Sequence, residues 1–92
     1  MIEYEIKDLL RYNKAVAYNS SMISHLLNIN KRSITDRINK YVNKKKIPRI
    51  YRTKKKFRIK GRVIPYTFYH MGQRKNITSW IFMKKQLLEG YQ

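Results

Sequence analysis

The chain has 92 residues, enough for one domain with a modest core, and carries 22 Lys and Arg against 5 Asp and Glu, a formal net charge of +17. It contains no cysteine, which excludes a disulfide framework and any Cys-based zinc site. No apolar run approaches the about eighteen residues a membrane helix needs. The acidic start MIEYEIKDLL also lacks the basic-then-apolar order of a signal peptide, so a cytoplasmic protein is expected.

Ile2, Ile6, Leu9 and Leu10 recur at helical spacing. Glu3, Glu5 and Asp8 suit the positive end of a helix dipole, and a first helix is expected over residues 3–13. Asn13 and Lys14 end it. Ala15-Val16-Ala17-Tyr18 reads as a short connector with Val16 packed inward. Asn19, Ser20 and Ser21 offer N-caps for a second helix over residues 21–28, in which Ile23 and Leu27 share a face. Asn28 tolerates the left-handed backbone that ends a helix. Asn30 caps a third helix over residues 31–45, with Ser33 a second cap donor and Pro48 a stop. Its inward face is Ile34, Ile38, Tyr41 and Val42.

Ile23, the small Ser24, Leu27, the turn residue Asn28, Ile29 and the β-branched Ile34 follow the order of a known motif. In these residues the chain resembles the helix-turn-helix of bacterial and phage transcription regulators. Ser24 stands for the usual Ala, Asn28 for the usual Gly, and Arg37 for a residue that is often apolar. The resemblance implies that the third helix enters the major groove of duplex DNA, with base-edge contacts at Asn30, Lys31, Arg32, Thr35, Asp36 and Asn39. Three helices followed by a basic β-hairpin extend the likeness to the winged helix-turn-helix family. The expected fold is thus α+β, a small winged helix with a short C-terminal helical segment. It forms a single domain over 1–92, with the helix-turn-helix at 20–45 and the basic wing at 47–83.

From Ile47 the pattern changes to β-branched and aromatic residues, broken at Lys60-Gly61 and Pro65. Val63–His70 and Ile77–Met83 are expected to form two strands joined by the turn Gly72–Asn76, with a short strand near Ile50. Residues 84–90 suit a last helical turn ending at Gly90. Ile77, Trp80, Ile81, Leu87 and Leu88 also fit one helix over the whole stretch, so that segment stays open.

After Asp36 no acid occurs until Glu89, while seventeen basic residues fall between Arg37 and Lys85. Such a surface repels itself unless a polyanion covers it, and nucleic acid is the expected polyanion. An anionic membrane is disfavoured, because the cations do not line one amphipathic helix. Arg32, Thr35 and Asn39 at i, i+3 and i+7 form one outer edge of the third helix, beside Lys31, Asp36 and Lys40. Arg reads guanine, Asn reads adenine and Thr meets the thymine methyl. The bland alternative is a solvated face with Arg32/Asp36 and Asp36/Lys40 pairs. Ser20, Ser21 and Ser33 at helix starts suit phosphate oxygens. Lys44, Lys45, Lys46, Arg49, Arg52, Lys54, Lys55, Lys56, Arg58, Lys60 and Arg62 are expected along the phosphate backbone.

Catalysis has no support. His25 and His70 have no partner at ligand spacing, so no metal or other cofactor is expected, and no nucleophile or phosphate-loop motif occurs. The expected function is sequence-specific duplex DNA binding in transcriptional regulation. The abundance of Ile, Lys, Asn and Tyr, residues of A/T-rich codons, points to a phage, a plasmid or a low-G+C bacterium. One rival is an RNA-binding or ribosome-associated protein, with Tyr51, Phe57, Tyr66, Phe68 and Tyr69 stacking on bases. Another is a phage protein that binds a host protein. A homodimer on DNA is expected, held by Trp80 and the C-terminal segment or by the first helix.

Overall fold

Ile6 and Leu10 are four residues apart on one helix, as are Ile34 and Ile38 on another; with Ile23 they are all 1% exposed or less. Those five side chains fix how the helices lie. In the computed structural model, which describes residues 2–42 and 50–82, they sit on α1 (Ile2–Tyr12), α2 (Ser20–Leu27) and α3 (Lys31–Val42). The strands are β1 (Val16–Asn19), β2 (Tyr51–Ile59), β3 (Arg62–His70) and β4 (Ser79–Ile81), with a single 3-10 turn at Arg74–Asn76 before β4. They form one mixed sheet in the order β2-β3-β1-β4, antiparallel except for the parallel pair β1–β4. No helix among the described residues is long and apolar enough to cross a membrane.

The turn between α2 and α3 follows from three side chains. Asn28 adopts the left-handed conformation, φ 54° and ψ 44°, and its N–H donates to the Ser24 carbonyl. Asn30 caps α3 by accepting from the Arg32 N–H at 2.8 Å. Ser24 does more than leave room: its hydroxyl donates to the Ile29 carbonyl at 2.6 Å and ties α2 to the turn. Asn19, rather than either serine, caps α2, accepting from the Met22 N–H at 2.8 Å.

The sheet has two unlike faces, because strand side chains alternate. Tyr69, Tyr18, Met71 and Ile50 face the helices and complete their core. Phe68, Tyr66 and His70 face the other way, under a layer of rings from β2, β4 and Phe82. Gly72 closes the sheet's corner. A Cβ there would lie 2.0 Å from the Lys14 carbonyl oxygen, so only glycine allows the approach.

The small winged helix expected from the sequence is corrected by this architecture. The helices are not three in succession before a hairpin, since Val16–Asn19 is not a connector but a strand between β3 and β4. Four residues are too short for a sequence pattern, and their strand character comes from pairing on both edges. Nor do Val63–His70 and Ile77–Met83 pair with each other. β3 pairs over its full length with β2, and β4 lies parallel to β1. The β2–β3 turn is Lys60-Gly61 with φ values of 50° and 78°, the two positive angles of a type I′ hairpin. Ser79–Ile81 as a strand also excludes one helix beginning at Ile77. Met83, the expected last helical turn at 84–90 and the third helix beyond Val42 lie outside the described residues.

Candidate nucleic-acid interface

With Ile34 and Ile38 in the core, α3 can turn only its opposite edge outward. Lys31, Arg32, Asp36 and Lys40 are exposed there, while Ser33, Thr35 and Asn39 are partly buried. Asn30 is exposed at its start. Two of these groups are engaged within the helix itself. The Thr35 hydroxyl donates to the Lys31 carbonyl at 3.0 Å, leaving its methyl as the uncommitted part, and the Asn30 oxygen is occupied as a cap.

β2 meets this edge at Arg52. Its residues alternate between exposed and partly buried along all nine positions. Arg52 pairs with Tyr69, so it stands on the helix side of the sheet, and alternation carries Lys54, Lys56 and Arg58 along the same face. At a strand rise of about 3.4 Å per residue, Arg52 to Arg58 spans about 20 Å. Arg52 joins this row to α3: its Nη1 donates to Asn39 Oδ1 at 3.2 Å. Its cation also stands beside the Tyr69 hydroxyl, and Tyr69 is 3% exposed. Burial pushes the Tyr69 phenol up, against a partial offset from the Arg52 cation. Arg52 is therefore a bridge between helix and sheet, as well as a cation.

Lys55 belongs elsewhere. Its ammonium lies 4.5 Å from the centre of the Trp80 ring and 5.7 Å from that of Phe57, on the face away from α3. Phe57 and Phe82 stack there at 4.5 Å, and Tyr66 lies 4.9 Å from Phe82. This ring layer stiffens the ribbon from behind, so the basic row is carried on an ordered arm. His70 anchors its base. The Gly72 carbonyl can only accept, so His70 Nδ1 carries the proton and donates to it at 2.6 Å. Nε2 then accepts from the Thr53 hydroxyl at 2.8 Å. Burial lowers the His70 pKa, the Gly72 hydrogen bond opposes the shift, and the Arg74 cation adds to it.

The structure thus sorts the expected contacts. Arg32, Asp36 and Lys40 are exposed on α3, Asn39 there meets Arg52 of β2, and Lys54, Lys56 and Arg58 continue along the strand from Arg52 to Lys60 and Arg62, exposed at the ribbon's tip. Ser21 is 4% exposed and cannot reach a phosphate; Ser20 and Ser33 are partly buried. Lys44, Lys45, Lys46 and Arg49 lie outside the described residues. Sequence reasoning missed Tyr69 as the support of Arg52, and no local signal marks it, because the contact depends on strand register. His25 is exposed on α2, whereas His70 is fully buried.

No family model, curated protein or solved structure matches this chain.

Proposed function

We propose that this chain binds duplex DNA sequence-specifically, as a cytoplasmic transcription regulator of a phage, a plasmid or a low-G+C bacterium. In this reading α2 and α3 act as a helix-turn-helix pair: the outer edge of α3 meets base edges in the major groove. The row Lys54, Lys56 and Arg58 follows the backbone. The observation that carries it is the continuity of the two, with Arg52 of the basic row hydrogen-bonded to Asn39 of the helix edge. Phosphate contacts set register and base contacts set sequence, and this surface offers both kinds of group side by side.

Arg32 supplies a two-donor fork suited to guanine, and Asp36 accepts from cytosine or repels a wrong site. The electrostatics support the reading, since no acid interrupts the sequence from Arg37 to Leu88. A two-fold pair on DNA is part of the proposal, because one short helix covers few bases. Trp80 packs against Phe68 and under Lys55 within its own chain, so α1 is the better contact; Tyr4 and Tyr12 there are 60% and 90% exposed.

The competing single-strand or RNA reading draws on the rings of the opposite sheet face. Stacking on bases needs free ring faces. Phe57 and Phe82 each give a face to the other, and Tyr69 points into the helical core. A gel-shift comparison of duplex DNA, single strands and structured RNA tests the proposal. Tightest binding to duplex, with a preference among duplex sequences, is expected. Tighter binding to single strands or RNA contradicts it.

A further inference from the structure

Among the described residues, Asn39 is the polar side chain of the α3 edge that hydrogen-bonds outside the helix. A side-chain amide can present its oxygen or its nitrogen to a neighbour, but a guanidinium has only donors. The atom facing Arg52 Nη1 at 3.2 Å is therefore the oxygen, and the amide N–H groups are turned to the other side. Arg52 is itself steadied, because it pairs across the strands with Tyr69 and its cation stands beside the Tyr69 hydroxyl; Tyr69 is 3% exposed and packed in the core. β3, β2 and α3 are thus linked through Tyr69, Arg52 and Asn39.

This restricts what Asn39 can read. An asparagine with both groups free recognises adenine, accepting from N6 and donating to N7. With its oxygen turned to Arg52 and its N–H groups on the other side, Asn39 presents donors to the groove. In the major groove guanine presents two acceptors, N7 and O6, thymine one, O4, beside its methyl, adenine one beside a donor, and cytosine a donor only. Resting on the duplex-reading role of α3, we propose that Arg52, braced by Tyr69, makes Asn39 a donor-only reader that selects guanine and rejects adenine and cytosine. Arg52 is the positioning residue, and Asn39 touches the base.

The test is selection from a random duplex pool with the wild-type chain and with Asn39→Ala, Arg52→Met and Tyr69→Phe, each first checked by thermal melting. Asn39→Ala identifies the base position, as the one whose preference it erases. At that position the wild type is expected to favour guanine over adenine by about fivefold or more. Arg52→Met removes the donors at similar length, freeing the amide oxygen, and the ratio is expected to move toward adenine there and nowhere else. Tyr69→Phe keeps every charge and removes only the brace. It is expected to shift the ratio the same way by less, leaving affinity for random duplex unchanged, and it carries the test if Arg52→Met does not fold. A wild type that prefers adenine at that position, or a ratio unmoved in the folded variants, overturns the inference while the duplex reading stands. A wild type with no preference at any position removes the duplex reading itself, and this inference with it.

Discussion

Lys54, Lys55 and Lys56 are consecutive in the chain and belong to different parts of the molecule. Lys54 and Lys56 stand on the face of the β2–β3 ribbon that also carries Arg52 and Arg58. Lys55 lies on the other face with its ammonium over Trp80. The first face is cationic and open, and the second is a packed layer of rings. The period of two in a strand makes this division, and it gives the same residue type opposite roles. A lysine in solvent near phosphates contributes to affinity and salt dependence; a lysine over an indole contributes to the stability of the arm.

The largest expected effect comes from breaking the ring face at its centre. Phe68 is fully buried and meets Phe57, Trp80 and Phe82 edge-on. Phe68→Ala should cost about 3–5 kcal/mol of folding stability, measured by denaturant unfolding. Where the variant remains folded, the salt dependence of duplex binding should stay as in the wild type, because the open face loses no charge. A changed salt dependence in the folded variant would mean that the two faces are not separable.

A smaller effect is expected from Lys55→Ala. Removing a partly desolvated cation–π contact should cost about 1 kcal/mol of stability. Lys54→Ala should be close to neutral in the same unfolding experiment, since its side chain is exposed. Equal destabilisation by the two would place both lysines in the same environment.

The smallest effect is one of pH. His70 is buried neutral at the base of the ring face, and its pKa is lowered from 6.5, first by burial. The unfolded chain then binds the proton more readily than the folded one. Stability from the neutral ring is fully present above pH 6.5 and falls as pH drops from there through the folded-state value. His70→Gln should flatten that fall in melting curves taken across the window. Loss of stability on raising pH through the same window would have the wrong sign.

Much of the helical layer is legible in the sequence. Ile6/Leu10, Ile23/Leu27 and Ile34/Ile38 mark three helices by spacing alone, and Asn28 takes the left-handed turn its residue type permits. The sheet was harder to read. β1 and β4 are four and three residues long and owe their existence to each other and to β3. The hairpin, by contrast, was present in the pattern. Lys60-Gly61 divides two nine-residue strands, and Tyr51, Thr53, Phe57 and Ile59 alternate with Arg52, Lys54, Lys56 and Arg58. Lys55 interrupts the alternation, and with it the run reads as a uniform basic stretch. The candidate site divides in the same way: the α3 edge follows from helical geometry, whereas the Arg52 bridge and the placing of Lys55 on the ring face follow from strand register.

The central claim is that one face of the ribbon meets phosphate and the other does not. It is tested most directly by the salt dependence of duplex binding for Lys54→Ala, Lys55→Ala and Lys56→Ala measured separately. Each phosphate neutralised contributes about 0.9 to the slope of log affinity against log salt. Lys54→Ala and Lys56→Ala should each reduce the slope by about that amount, and Lys55→Ala should leave it unchanged. An equal reduction for all three lysines would contradict the account.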